Sequence, residues 1–206
     1  MTTSADSRRA GALIFAGSVQ LMLGISLAEE LYPGYNVSQT ISSLGVASAS
    51  VSSALVFNSS LFLEGLLVLV GAYYLWRAAK NPLVSALFAL GGIGAFGGAL
   101  FPQDVPNIHL GISIVSFFAA GLAPFATLKL QTPPFRYFSV SMGIISFTAA
   151  VLLSMNYTLG LAYGAMERVV AYPTILWAVG FGAYLMNQGP QKVDAQRKVN
   201  EELTSP

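Results

Sequence analysis

Six apolar stretches alternate with short polar connections along the 206 residues. A bilayer core about 30 Å thick is crossed by about 20 helical residues rising 1.5 Å each. The runs Ala10–Ala28, Ala54–Trp76, Leu83–Leu100, His109–Leu128, Phe138–Asn156 and Ala165–Met186 all meet that length. They predict an all-α, polytopic six-transmembrane-helix bundle, one domain over residues 1–186, with a tail from 187 to 206. Pro82 suits the start of the third helix, and Asn107 after Pro106 is expected to cap the fourth. Pro133 and Pro134 fall where a stop is wanted between the fourth and fifth, and Pro124 should kink the fourth.

The basic residues orient these spans. Arg8, Arg9, Arg77, Lys80, Lys129, Arg136, Lys192, Arg197 and Lys198 fall on one side, and Arg168 alone on the other. Lys and Arg near span ends are retained in the cytoplasm, so both termini and the tail are expected inside. Arg8-Arg9, an apolar run and Ser26-Leu27-Ala28 resemble a secretory signal. The favoured reading is an uncleaved first helix, because cleavage leaves five spans and carries the basic tail outside.

One connection is long. Residues 29–53 are rich in Ser, Gly and Tyr and hold no Lys or Arg, and a loop of this length in a compact chain usually has a function or a fold of its own. Val37, Ile41 and Leu44 share a face at helical spacing, which predicts a short interfacial helix over 37–44. The third span carries Gly91, Gly92, Gly94, Gly97 and Gly98. Such small faces let helices approach closely, which places this helix centrally or, alternatively, against a second copy or a larger membrane complex.

Polar residues within the spans are uneven. Gln20 and Glu64 fall near mid-membrane, where a charged residue costs about 2.5–3.5 kcal/mol. The intramembrane acid Glu64 is therefore expected to face the interior, either protonated or hydrogen-bonded to Gln20 or a serine, or else to handle a proton or bind a head group. Other polar residues gather outside: Asp104, His109, Ser113 and Ser116; Asn58; Glu167, Arg168 and Tyr172; Tyr32, Tyr35 and Ser42. Together they suggest an outer cup whose ligand-binding candidates are Arg168, Glu167, Tyr172, Asn58, Tyr32, Tyr35 and Ser42. His109, Asp104 and Ser113 are the catalytic candidates, since serine four residues after histidine shares its face. No strained Gly-x-Ser-x-Gly turn supports that chemistry. Arg168 either receives an anion or pairs with Asp104, Glu29 or Glu30. If Arg168 is buried against a carboxylate and His109 bonds only to backbone, the site hypothesis fails.

Composition narrows the classes. Hydrophobic residues are 54% and charged residues 9%, far below the roughly 25% charge of soluble domains. A net charge of +1 speaks against nucleic acid, and the absence of cysteine excludes disulfides, thiolate metal ligands and cysteine nucleophiles. One histidine excludes a histidine-rich metal site within one chain, and no metal or cofactor is implied. Asn36-Val37-Ser38, Asn58-Ser59-Ser60 and Asn156-Tyr157-Thr158 match the glycosylation pattern, of which Asn36 alone stands clear of the bilayer.

Several of these residues fall into an ordered set: Tyr32-Pro33-Gly34-Tyr35, Ile41-Ser42-Ser43-Leu44-Gly45, Phe57-Asn58 with Gly65, Phe101-Pro102 with Asp104 and His109, then Glu167-Arg168, Tyr172-Pro173 and Trp177. The set resembles the domain-of-unknown-function 998 family of prokaryotic polytopic membrane proteins. The resemblance implies six helices and a cell-membrane location, with no assigned reaction. More distantly the arrangement is similar to membrane lipid hydrolases built on Ser, Asp and His. Those use three histidines around a metal where this chain has one, which argues against a zinc amidase or ceramidase.

Four functions remain in view. The first is binding of a membrane lipid or amphiphile in the outer pocket. The second is a lipid- or isoprenoid-modifying enzyme at the same place. An accessory subunit packing through the glycine-rich helix is the third, and it predicts uncovered small faces. Transport is the weakest, because the inner halves of the spans offer few polar groups.

Overall fold

The computed structural model describes residues 4–187, so the expected tail lies outside the described residues apart from Asn187. Six helices run in order: α1 Ser4–Glu30, α2 Val51–Ala79, α3 Pro82–Leu100, α4 Pro106–Ala126, α5 Phe135–Ser154 and α6 Tyr163–Asn187, with 3-10 turns at Ile41–Gly45 and Leu128–Leu130. All six are long and apolar enough to cross a membrane, and the described residues hold no strand.

The ends of the helices differ from the sequence expectation in instructive ways. α1 begins well before Ala10 because Asp6 favours the helix N-terminus and bridges Arg9 at 3.4 Å and Arg77 of α2 at 3.1 Å. Asn107 does not cap α4. Val105 takes that position without a side-chain bond and Pro106 opens the helix, where its missing N–H is not needed. α3 follows the rule more closely: Asn81 accepts from the amides of Leu83 and Val84, with Pro82 just inside. The short helix expected over 37–44 is instead the turn Ile41–Gly45, capped by Thr40. Ile41 and Leu44 are buried, but Val37 precedes the turn and is exposed.

Consecutive helices pack side by side and α6 returns to α1, which closes a ring; α4 and α6 also touch across it. Small residues allow the closest approaches. A Cβ on Gly65 would stand 2.5 Å from the Phe96 amide, and one on Gly11 2.5 Å from the Gly182 carbonyl oxygen. The glycines of α3 are thus spent inside the chain: Gly92 on α2, Gly94 on Ser116 and Gly97 on Ile112. The small faces that an accessory role would leave uncovered are covered here by α2 and α4, while Gly91 has open space beside it.

The two halves of the ring are filled differently. Toward the termini, Trp177 stacks on Phe181 at 5.1 Å and Phe88 lies 5.7–6.0 Å from both rings. The Trp177 indole donates to Ser139 at 2.9 Å, Ser139 to Gln131 at 2.6 Å, and Gln131 to Thr127 at 2.9 Å. This buried chain of satisfied donors ties α4, α5 and α6 together. Toward the long connection the ring is hollow.

Candidate functional site

The connection between α1 and α2 crosses the hollow end as a strap. Glu167 and Arg168, in the first turns of α6, hold it from one side. One Glu167 oxygen accepts from the Ile41 amide at 2.7 Å and the other from the Ser42 hydroxyl at 3.0 Å. Arg168 donates to the carbonyls of Val37, Gln39 and Gly164 and to Tyr35, and its Nη2 lies 2.7 Å from Glu29. Charge-assisted bonds of this kind are the stronger class. Gly164 donates to the Ser38 carbonyl, and any Cβ there would strike the Gln39 carbonyl. From α2, Ser53 donates to the Leu44 carbonyl and Asn58 to that of Gly45, both at 3.0 Å. Thr40 reaches Gln103 beyond α3 at 3.1 Å. Burial in this cluster pushes the Tyr35 phenol up to about 12 against the opposing pull of Arg168, so it stays protonated and donates to the Thr40 carbonyl.

Beneath the strap lies a cavity of about 200 Å³ walled by α1, α2, α3, α4 and α6. Most of its wall is apolar, with Phe57, Phe88 and Trp177 among it. Polar groups enter at two depths. Ser42, Glu167, His109 and Ser113 lie under the strap, and Ser18 and Glu64 lie near mid-bundle. α1 supplies Ile14, Ser18, Leu21 and Ile25 at helical spacing, one stripe facing inward. The Ser18 hydroxyl donates to one Glu64 oxygen at 3.2 Å, and the other oxygen is buried without a hydrogen-bond partner. Gly17 makes room for that carboxyl, since a Cβ there would overlap it. No Lys or Arg is among the lining residues.

His109 Nδ1 lies 2.9 Å from the Phe101 carbonyl. A carbonyl only accepts, so Nδ1 carries the proton that faces it. Among the described residues no hydrogen bond joins His109 to Ser113 or Asp104, and Asp104 lines neither this cavity nor its neighbour. That neighbour is a cleft of about 390 Å³ between α4 and α5, which shares Ser42, His109, Ser113, Phe117 and Glu167 with the central cavity.

The expected outer cup is therefore resolved into two parts. Arg168, Tyr35, Tyr32, Tyr172 and Asn58 line neither cavity. Arg168, Tyr35 and Asn58 anchor the strap, Tyr32 packs on Tyr35 with ring centroids 5.4 Å apart, and Tyr172 packs beneath. Arg168 is closed on Glu29 and His109 is bonded to backbone, the outcome under which the outer-cup site hypothesis fails. Glu167, Ser42, His109, Ser113 and Glu64 do meet, around the cavity instead. Of the two partners expected for Glu64, Gln20 or a serine, the serine is found: Ser18 donates to it, while Gln20 donates to the Ser60 carbonyl. The legible trace of Ser18 was a lone hydroxyl inside an apolar stripe opposite an acid. Among the described residues, no three His, Cys, Asp or Glu side chains come together as metal ligands would. Asn58 of the second glycosylation pattern is engaged by Gly45, and Asn36 is exposed.

Residues 15–184 match the family model described as Protein of unknown function (DUF998). The chain belongs to that family. No curated relative and no solved structure matches it. The DUF998 resemblance also acquires a physical sense, because its separate pieces bond to one another: Tyr35 to Arg168, Ile41 and Ser42 to Glu167, Gly45 to Asn58, and Phe101 to His109. They are the joints of the strap and of the cavity beneath it.

Proposed function

We propose that this multi-pass membrane protein binds an amphiphile in the cavity beneath the strap, with an apolar chain against the aromatic floor. The observation that carries this reading is the buried Glu64 oxygen without a partner, in an apolar wall that offers no basic side chain. An unpaired buried acceptor costs about 1–3 kcal/mol, and a ligand donor near Ser18 relieves it. An acid in a wall without a basic side chain selects against anions: the ligand's polar end forms hydrogen bonds and carries no net negative charge. His109 lines the same cavity as a second hydrogen-bonding group. In the orientation argued from the basic residues, the strap faces outward and the ligand comes from the outer leaflet of the cell membrane.

Mass spectrometry of what the purified protein retains tests this, with Gly91→Leu beside it. Gly91 lines the cavity with open space next to it, so leucine fills the site without collision. The wild type is expected to retain a neutral or cationic amphiphile that Gly91→Leu loses at unchanged thermal stability. Equal lipid content in both proteins removes the reading. A lipid chemically altered by the wild type and untouched by His109→Ala replaces it with catalysis.

A further inference from the structure

We infer that the cavity is loaded sideways from the bilayer, through the cleft between α4 and α5, and not through the strap; this rests on the binding reading above. Two routes lead inward. The axial one is plugged by Leu44 and Ile41, 0% and 5% exposed, and pinned through Glu167, Arg168, Ser53 and Asn58. Opening it breaks charge-assisted bonds and exposes the plug. The lateral one runs beside Thr40, Ser42 and Glu167 and crosses only the exposed, uncharged Thr40–Gln103 bond. The buried residues of α4 are Ala119, Gly121, Ala123 and Pro124, all in its second half, so its strap-side half holds none.

That half of α4 stands between two spaces, the central cavity on one flank and the α4–α5 cleft on the other. His109, Ser113 and Phe117 belong to both linings, so a rotamer change at Phe117 joins them without unfolding anything. The cleft's mouth is matched to a lipid. Leu110 and Ile114, 59% and 42% exposed, give it an apolar lip at chain depth. Gln103, Asn156 and Tyr163 give it a polar end suited to the interface, where tyrosine is favoured. The occupant is the acyl chain of a bilayer amphiphile, whose polar end slides past Ser113 toward Glu64.

The chain provides its own reporter. Its tryptophans are Trp76, 48% exposed, and Trp177, 2% exposed and in the cavity wall, so Trp76→Phe leaves only the latter. With no native cysteine, a cleavable bismaleimide can tether Ile114→Cys to Ala150→Cys across the cleft, or Ala47→Cys to Ser59→Cys, two exposed positions flanking the Gly45–Asn58 joint of the strap. The protein is mixed with phosphatidylcholine vesicles doped with a chain-brominated monoacylglycerol, and Trp177 quenching is followed in time. The cleft tether is expected to slow quenching about tenfold or more, as blocking a gated path does, and cleaving it restores the rate. The strap tether leaves the rate unchanged. A rate indifferent to the cleft tether, or one slowed by the strap tether alone, overturns lateral loading. Absence of quenching in the untethered protein overturns the binding reading itself, and this inference with it.

Discussion

The strap-side ends of α6 and α4 border the same cavity and are held in opposite ways. On α6, Glu167 and Arg168 bond six backbone or side-chain groups of the strap region between Glu29 and Ser42. On α4, the corresponding half has no buried residue, and His109 reaches back to a carbonyl eight positions away. One wall is locked by polar bonds that are strong because they are partly desolvated. The other is kept loose by the same apolar residues that make it compatible with lipid. Rigidity and access are thus assigned to different helices, which lets a cavity be both specific and reachable.

The contrast is broken most severely at Arg168. Arg168→Ala leaves Glu29 and the strap carbonyls without their donor, and should cost about 3 kcal/mol, the lower end for removing one partner of a buried pair. Thermal unfolding in detergent reads the loss, and chymotryptic cleavage after Tyr35 should accelerate with it. Gly164→Ala acts next: its methyl strikes the Gln39 carbonyl and should cost about 1–3 kcal/mol, as overpacking does. An unchanged melting temperature in either variant would mean that the strap is not held from α6. On the loose wall, Leu110→Ala should stay within about 0.5 kcal/mol of wild type, as exposed substitutions do.

The smallest effect sharpens the picture of the locked wall. Burial raises the Tyr35 phenol to about 12, above its ordinary value, so the protonated form is the one the fold favours. Its contribution is complete below the ordinary phenol range and is lost as pH rises through about 12. An ultraviolet difference titration of wild type against Tyr35→Phe should therefore show the missing phenol among the last to ionise. A missing phenol that ionises with the exposed tyrosines contradicts the buried cluster.

The spans were legible because bilayer thickness demands long apolar runs, and six such runs leave little else in the chain. Glu29 was already among the acids named for Arg168. The carbonyls of Val37, Gln39 and Gly164 were not, since a backbone acceptor leaves no mark in the side-chain pattern and two of them lie about 130 positions away. Grouping Asp104 with His109 and Ser113 relied on sequence proximity, and the break before Pro106 separates it from their face. The cavity itself is a difference between the volumes of facing helices, which no single stretch records. Its traces were Gly91 and the acid at Glu64, each readable as structure until Ser18, Gly17 and the open space around them were in view.

The central claim is that an acyl chain occupies the hollow half of the ring. Steady-state quenching of Trp177 tests it most directly, in Trp76→Phe protein equilibrated with the brominated monoacylglycerol in phosphatidylcholine vesicles. The account predicts strong quenching of this buried indole, largely abolished by Gly91→Leu. Quenching that is weak from the start, or identical in the filled variant, would contradict it.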